Sequence, residues 1–481
     1  MKLNTTIRNS ISARILLMAA LLAPLSVISS HAGSATWNLN PASGDWNTLA
    51  NWTPANVPNS QTDVATFDAS SVTTVSTATS TIAVSNIIFN PGASAYTINN
   101  TGPHYLGIFQ GVVNNSGVQQ KIVTGSTSST TGFYLNASAG SNVLYTISPG
   151  ATLFFDSFNG FPSADHATFA NSGIMLFYGG TAADAIISSS GTSSQLWFMG
   201  NSTAENAILT MDGGEIFFEQ TSTGDEAQVE LSTGGRLSVY PHAGPGVTIG
   251  SLKGNGVVNL GSVNWLYGKT LTVGSNGLST TFSGTMNDAG KVGGLTKIGA
   301  GTLVLTNAST YTDRTLVKRG ALIINNITGS GTGTGPVQVN SGALGGKGII
   351  AGAVRIGGGT QRASLAPGTD AIGLLTIQSG LTFDSNAAYE WNIEVSASKA
   401  DEVVAQGVTI DGSASFTVVG HGSATLTTGT VFTVISNTAA TPIAGTFGNL
   451  ADGGTIAIGG NNFEANYEGG DGNDLTLTVV P

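Results

Sequence analysis

The chain has 481 residues, 40% of them apolar and 9% charged, no cysteine, and a formal net charge of −11. That apolar share is too high for a disordered stalk, and the acidic balance repels nucleic-acid phosphates and anionic lipid, so neither is expected as a partner. Without cysteine there are no disulfide staples, thiol chemistry or cysteine–metal sites, and an exported form must be held by its core alone.

Residues 1–32 read as a secretory signal peptide. Lys2, Arg8 and Arg14 form a basic start, Ile15 to Ile28 an apolar stretch, and Ser30 and Ala32 the small residues before a cleavage site. A membrane anchor is the competing reading, but the apolar run is shorter than the ~20 residues a spanning helix needs and contains Pro24. No later segment is long and apolar enough to cross a membrane as a helix. Cleavage removes three positive charges and no acidic ones, moving the formal charge from −11 to −14.

Residues 33–79 form a distinct start holding Trp37, Trp46 and Trp52, three of six tryptophans. Such a cluster can present aromatic faces to a carbohydrate. It can equally cover the exposed first coil of a stacked repeat, and the second reading is preferred because terminal repeats need covers.

From about residue 80 a rhythm without sequence identity sets in. Short apolar strands begin near Ile87, Val112, Phe133, Leu153, Ile174, Leu196, Ile216, Leu237 and Val257, at intervals of 20 to 25 residues. Several run into aromatics, as in Leu153-Phe154-Phe155 and Leu196-Trp197-Phe198, and a second strand precedes several of them, as at Ala207-Ile208-Leu209. Glycine or asparagine marks the turns, for example Asp212-Gly213-Gly214. A period near 20 without helical spacing predicts a right-handed parallel β-helix over 80–380. A β-sandwich array is the alternative, but no linker interrupts the pattern. Only 9% of residues are charged, against roughly 25% in an average protein. Ser, Thr, Asn and Gly take the surface positions, as ladders of uncharged side chains require.

Residues 293–325 pack two apolar alternations, Leu303-Val304-Leu305 and Ala321-Leu322-Ile323-Ile324, between glycine-marked turns about 19 residues apart. With Gly293-Gly294-Leu295-Thr296-Lys297, Gly299, Gly301-Thr302-Leu303, Leu305, Thr310-Tyr311-Thr312, Val317 and Gly320, this segment resembles the autotransporter-associated β-strand repeat, also called the passenger-associated transport repeat. The resemblance implies an exported, passenger-like protein and supplies no ligand. It extends over roughly 247–480, and the W…GDW…NW start resembles the beginning of such proteins. Where the family pattern usually has glycine after T-Y-T, Asp313-Arg314 follow here, so that turn must avoid a positive φ or bear strain. A full autotransporter continues into a translocator barrel. This sequence stops at Pro481 with no room for one, and Val479-Val480-Pro481 begins like a V-P-E-P sorting tail.

Residues 381–481 alternate more regularly and predict a C-terminal β cap or small β-sandwich. Gly469-Gly470-Asp471-Gly472-Asn473-Asp474 begins like a calcium-binding nonapeptide. A tight turn before the last strand is preferred, because only one copy is present and the large apolar residue comes one position early.

Parallel β-helices include polysaccharide lyases and hydrolases. The densest acidic zone is Glu205, Asp212, Glu215, Glu219, Asp225, Glu226 and Glu230, in which Glu205 with Asp225, or Asp212 with Glu230, would stack one coil apart. Glycosidic cleavage needs two carboxylates ~5–9.5 Å apart, and a lyase also needs a base; Arg236 is the only basic residue between Lys121 and Lys253. The glycine-rich stretches 329–336 and 346–352 lack a phosphate-loop pattern. His104, His166, His242 and His421 have no metal-ligand spacing. No catalytic, cofactor-binding or metal residue is assigned. The resulting expectation is an exported, non-enzymatic, structural or adhesin-like protein of the cell surface or extracellular space, with surface glycans or neighbouring cells as partners. A β-helical carbohydrate-active enzyme is the alternative.

Overall fold

The computed structural model describes residues 33–369, 371–420, 422 and 424–481. The signal-peptide reading of residues 1–32, and His421, lie outside them. No helix among the described residues is long and apolar enough to cross a membrane. The described chain is all-β, a parallel β-solenoid of about 16 turns that matches a right-handed β-helix.

Each coil visits three faces in turn. The first face is a ladder of strands running from Ala35–Trp37 and Ser60–Phe67 through Thr152–Asp156, Ile174–Tyr178, Gln195–Met199 and Glu215–Phe218 to Thr285–Asn287. All of its pairings are parallel except that of Ala35–Trp37 with Trp52–Thr53. The second face runs without a break from Thr74–Ser76 to Ser415–Val419. On the third face an early column of single bridges, Ser138, Ser163, Thr181, Thr203 and Thr223, gives way to a sheet of eight strands from Gly246–Ile249 to Val408–Ile410. This follows from the sequence because residues of period 2 point alternately in and out, and parallel strands one coil apart share backbone hydrogen bonds without a sheet edge along the rod.

The interior is a stack of like on like. In the segment Thr152–Asp156, Leu153 and Phe155 point inward and are fully buried. Phe133, Phe155, Phe177, Phe198 and Phe218 are register partners in successive coils. Their rings lie 4.7 to 5.0 Å apart and within 9° of parallel. The coil spacing of roughly 4.8 Å is also a good ring-stacking distance, so identical residues one period apart pack without adjustment.

The corner after the first face is built differently from the glycine turns. Asp165, Ala183, Glu205 and Asp225 adopt left-handed φ of 52°, 48°, 43° and 45°. Each comes two residues after a bridge hydroxyl residue. The backbone N–H groups of Asp165, Ala183 and Glu205 donate to the hydroxyls of Ser163, Thr181 and Thr203 at 2.9, 2.9 and 3.2 Å. The hydroxyl closes a local turn that offsets the left-handed strain. Asp313 and Arg314, by contrast, have no positive φ, so their turn avoids the strain that the missing glycine would have relieved.

The first face stops as a strand ladder at Thr285–Asn287 but its column continues. Thr310 N–H donates to the Met286 carbonyl at 2.9 Å, Ser309 N–H to that of Ser330 at 2.8 Å, and Gly331 N–H to that of Ile349 at 2.9 Å. From Ile349–Ile350 strands resume through Leu374–Ile377 and Glu402–Ala405 to Val431–Asn437. There the direction reverses, and Asp474–Val480, Asn461–Gly469 and Thr455–Ile458 add on antiparallel.

Candidate ligand-binding face

The three N-terminal tryptophans turn inward. Trp37, Trp46 and Trp52 are 1%, 0% and 2% exposed, edge-packed at 5.0 Å on one another and around Phe67. Their indole N–H groups donate to the carbonyls of Val72, Pro58 and Trp46. None presents a face to a ligand.

A cluster of outward-pointing aromatic side chains lies on the first face, further along. Register places Gly107, Gly132, Phe154, Leu176, Trp197, Phe217 and Ser238 in one outward column. Phe154, Leu176, Trp197 and Phe217 form a second small core, 2% to 8% exposed, flanked by Tyr105, Tyr134, Ile174 and Met199. Trp197 and Phe217 stack at 3.9 Å, and the Trp197 indole donates to Gln195 Oε1 at 3.0 Å. At the upstream end the column becomes glycine. A Cβ on Gly132 would meet Tyr105 Oη at 2.5 Å and Phe154 Cζ at 2.6 Å; one on Gly107 would meet Tyr105 Cε1 at 2.6 Å. Neither glycine has a positive φ, so space, not backbone conformation, demands them. Beside this seat opens a groove of about 330 Å³ whose walls include Tyr105, Phe109 and Tyr134. Burial pushes the Tyr134 hydroxyl up to about 12 and that of Tyr105 well above its usual range.

The structure brings only part of the acidic zone together. Glu205 and Asp225 do follow one another along the corner, since Thr203 bridges Thr223. Asp212 and Glu230 are not opposed, because Thr210, not Asp212, is the partner of Glu230; Glu230 pairs instead with Lys253 at 2.8 Å. Glu215 lies on the first face, raised by burial and partly restrained by hydrogen bonds from the Ser238 hydroxyl and by Arg236. Asp156, also raised by burial, shares that face three coils away. Three coils and four strand positions separate them by roughly 20 Å, well outside the ~5–9.5 Å of a glycosidic pair.

The remaining motifs are also placed. Gly469 and Asp474 are partners across a hairpin, and the Asp474 carboxylate accepts from Asn437 N–H at 2.8 Å. His166 contacts Asp165 at 2.5 Å and Asp184 at 3.5 Å on the surface. The hydrogen bond to Asp165 raises its pKa. His242 accepts from Gly244 N–H and reaches the Ser222 carbonyl, while His104 lines the groove. The glycine stretch 329–336 forms the turn between Ala321–Ile324 and Val337–Val339, with Gly329 and Gly333 at φ of 65° and 66°.

In and just before the repeat-like segment, two polar side chains tie coils together. Asp288, 1% exposed, accepts from Gly290 and Gly293 N–H and from both the N–H and hydroxyl of Thr312, at 2.6 to 2.9 Å. Burial alone would raise its pKa, but these donors win and lower it. Lys297, also 1% exposed, donates to the carbonyls of Ile298, Gly299 and, one coil on, Arg319. Burial pushes its pKa down to about 8. Sequence reasoning caught Lys297 and Thr312 as part of the repeat pattern but gave neither this role. It missed Asp288 altogether, which precedes the matched residues.

The family described as passenger-associated-transport-repeat matches residues 295–324. The chain is also similar to a Serratia marcescens protein named extracellular serine protease, with 36% identity over 133 residues. That match covers 27% of this chain and 12% of the relative. The matched repeat residues form two stacked coils, in which Leu303 and Leu305 pair with Leu322 and Ile324. The β-solenoid thus carries, at residues 295–324, a segment that matches the passenger-associated transport repeat.

Proposed function

We propose that the chain is an exported, non-enzymatic, adhesin-like scaffold of the cell surface or extracellular space. The observation that carries this reading is the long unbroken ladder of the second face, which serves a rod better than a closed catalytic cleft. Residues 1–32 would direct export. The inward tryptophans of 33–79 would close one end, and the antiparallel strands within 381–481 the other, so that neither end offers a free ladder to another chain. The named relative adds an extracellular setting; its protease activity belongs to a protein of which 12% is matched. Surface glycans or neighbouring cells would be the partners, contacted through uncharged outer columns. Cell fractionation with surface proteolysis tests the reading: protein found in the medium or cleaved on intact cells supports it, and full protection inside the cell refutes it. For the enzymatic alternative, turnover of neutral or anionic polysaccharide that is lost in Glu215→Gln would overturn the non-enzymatic reading.

A further inference from the structure

We propose that the groove beside Tyr105, Phe109 and Tyr134 binds a neutral oligosaccharide, laid against the outside of the first face. The proposal rests on the exported, adhesin-like reading and gives it a site and a ligand class. Three observations carry it.

The first is the seat. Two adjacent strands surrender side chains at Gly107 and Gly132, and the Tyr105 ring occupies the space. Phe109 stacks on Tyr134 at 5.0 Å and 14°, and Tyr134 meets Phe154 edge-on at 5.4 Å. The rings are therefore held by neighbours, which lowers the ordering cost of binding. Strand glycine weakens a sheet, so this wall of rings comes at a cost that interior packing does not explain.

The second is the lining. The groove carries Gln61, Thr81, Ser128 and Thr130 with His104, and no carboxylate, lysine or arginine. A sugar ring presents C–H groups, which suit the negative face of an aromatic ring, and hydroxyls, which suit amide and hydroxyl partners. An acidic sugar would find no cation there and would meet the raised carboxylate of Asp156 nearby along the face. A lipid or apolar peptide would find only Ala83 and Pro103 as aliphatic wall.

The third is size and continuity. About 330 Å³ is at the small end of ligand pockets, roughly 300–1,000 Å³, which suits one or two sugar rings. The groove opens onto the same outward face as the column from Phe154 to Phe217, so a longer chain has room to extend along the rod.

The test is isothermal titration and saturation-transfer NMR on the mature protein, with cellohexaose, maltohexaose and chitohexaose as probes and hexagalacturonate as the anionic comparison. At least one neutral hexasaccharide should bind saturably. Tyr134→Ala should weaken it by about tenfold or more. The exposed rim variants Gln61→Ala and Ser128→Ala, which leave the packed rings untouched, should weaken it by roughly two- to tenfold each, as loss of a hydrogen bond does. No binding of any neutral hexasaccharide at ~10 mM, binding of hexagalacturonate alone, or binding indifferent to the rim variants would overturn the proposal. Fractionation separates the two readings: protein exposed on cells but blind to sugars defeats only the groove, and protein that binds sugars but stays inside defeats only the export.

Discussion

Phe177 sits in the middle of the inner phenylalanine ladder, stacked at 4.7 Å on Phe155 and at 5.0 Å on Phe198, with no exposed surface. Replacing it with alanine removes most of the ring's burial. An aromatic side chain buries about 150–250 Å², which at about 25 cal/mol per Å² corresponds to roughly 4–6 kcal/mol. Alanine retains part of this, the two stacked pairs add about 0.5–1.5 kcal/mol each, and partial collapse of the cavity returns some. The expected loss is about 3–5 kcal/mol, the range seen for such truncations. Tyr178, the next residue, points outward and is 39% exposed, so Tyr178→Ala should cost far less, about 1 kcal/mol or below. Urea unfolding with intrinsic fluorescence measures both. Because each coil contacts mainly its neighbours, amide exchange should quicken most in 152–156 and 195–199, the strands on either side. A cost under ~1.5 kcal/mol for Phe177→Ala, or equal costs for the two variants, would refute the inward ladder.

The repeat segment yields two further tests. Asp288→Ala leaves Gly293 and Thr312 donors without their carboxylate, and should cost about 2–4 kcal/mol. Since the folded pKa is lowered, the wild-type contribution is present above the unfolded value near 3.8 and is lost as pH falls through the folded value; the gap in urea midpoint between wild type and variant should hold from pH 7 to about 4 and shrink progressively below it. For Lys297 the folded pKa of about 8 lies below the unfolded 10.5. The folded state then holds fewer protons in that window, so wild-type stability should rise with pH from about 8 to 10.5, and Lys297→Met should abolish the rise. A pH-independent wild type would contradict the burial of the ammonium. Finally, Ala183 sits at φ 48°, where an L residue bears about 1–2 kcal/mol of strain; Ala183→Gly should raise stability by about 0.5–1 kcal/mol, and a lowered melting temperature would count against the left-handed corner.

The ladder was legible because its physics repeats. Leu153, Met175, Leu196 and Ile216 recur every 20 to 22 residues and pair in the expected register, so one period predicts the next. The alternation within Leu153-Phe154-Phe155 also told that one ring must point out, but not that four such outward side chains would bury one another; that depends on neighbours a coil away being large together. The corner was illegible for a different reason. Left-handed turns are usually marked by glycine, and here they fall on Asp165, Ala183, Glu205 and Asp225, stabilised by a hydroxyl two residues earlier. The acidic zone was legible in part: Glu205 and Asp225 stack along one corner as their spacing predicts, whereas Asp212 and Glu230, 18 apart, fall out of register.

The segment matching the known repeat lies where the first face loses its strands. Between Thr285–Asn287 and Ile349–Ile350 that face is carried only by isolated backbone contacts through Ser309, Thr310 and Gly331, while the other two faces keep their parallel ladders. Side chains add ties between and within these coils. The Asp288 carboxylate reaches Thr312 in the next coil, the Lys297 ammonium reaches the Arg319 carbonyl, and the Tyr311 hydroxyl, fully buried, hydrogen-bonds Thr315 at 2.6 Å. Two of these three side chains, Lys297 and Tyr311, and Thr312, which donates to the third, lie inside the matched residues 295–324. The polar positions of the repeat thus supplement the strand pairing that the other two faces supply here. A variant that breaks one of them should therefore loosen the joint at 288–348 before either flanking ladder, with amide exchange rising first at Leu295 and Thr312 and last at Phe177.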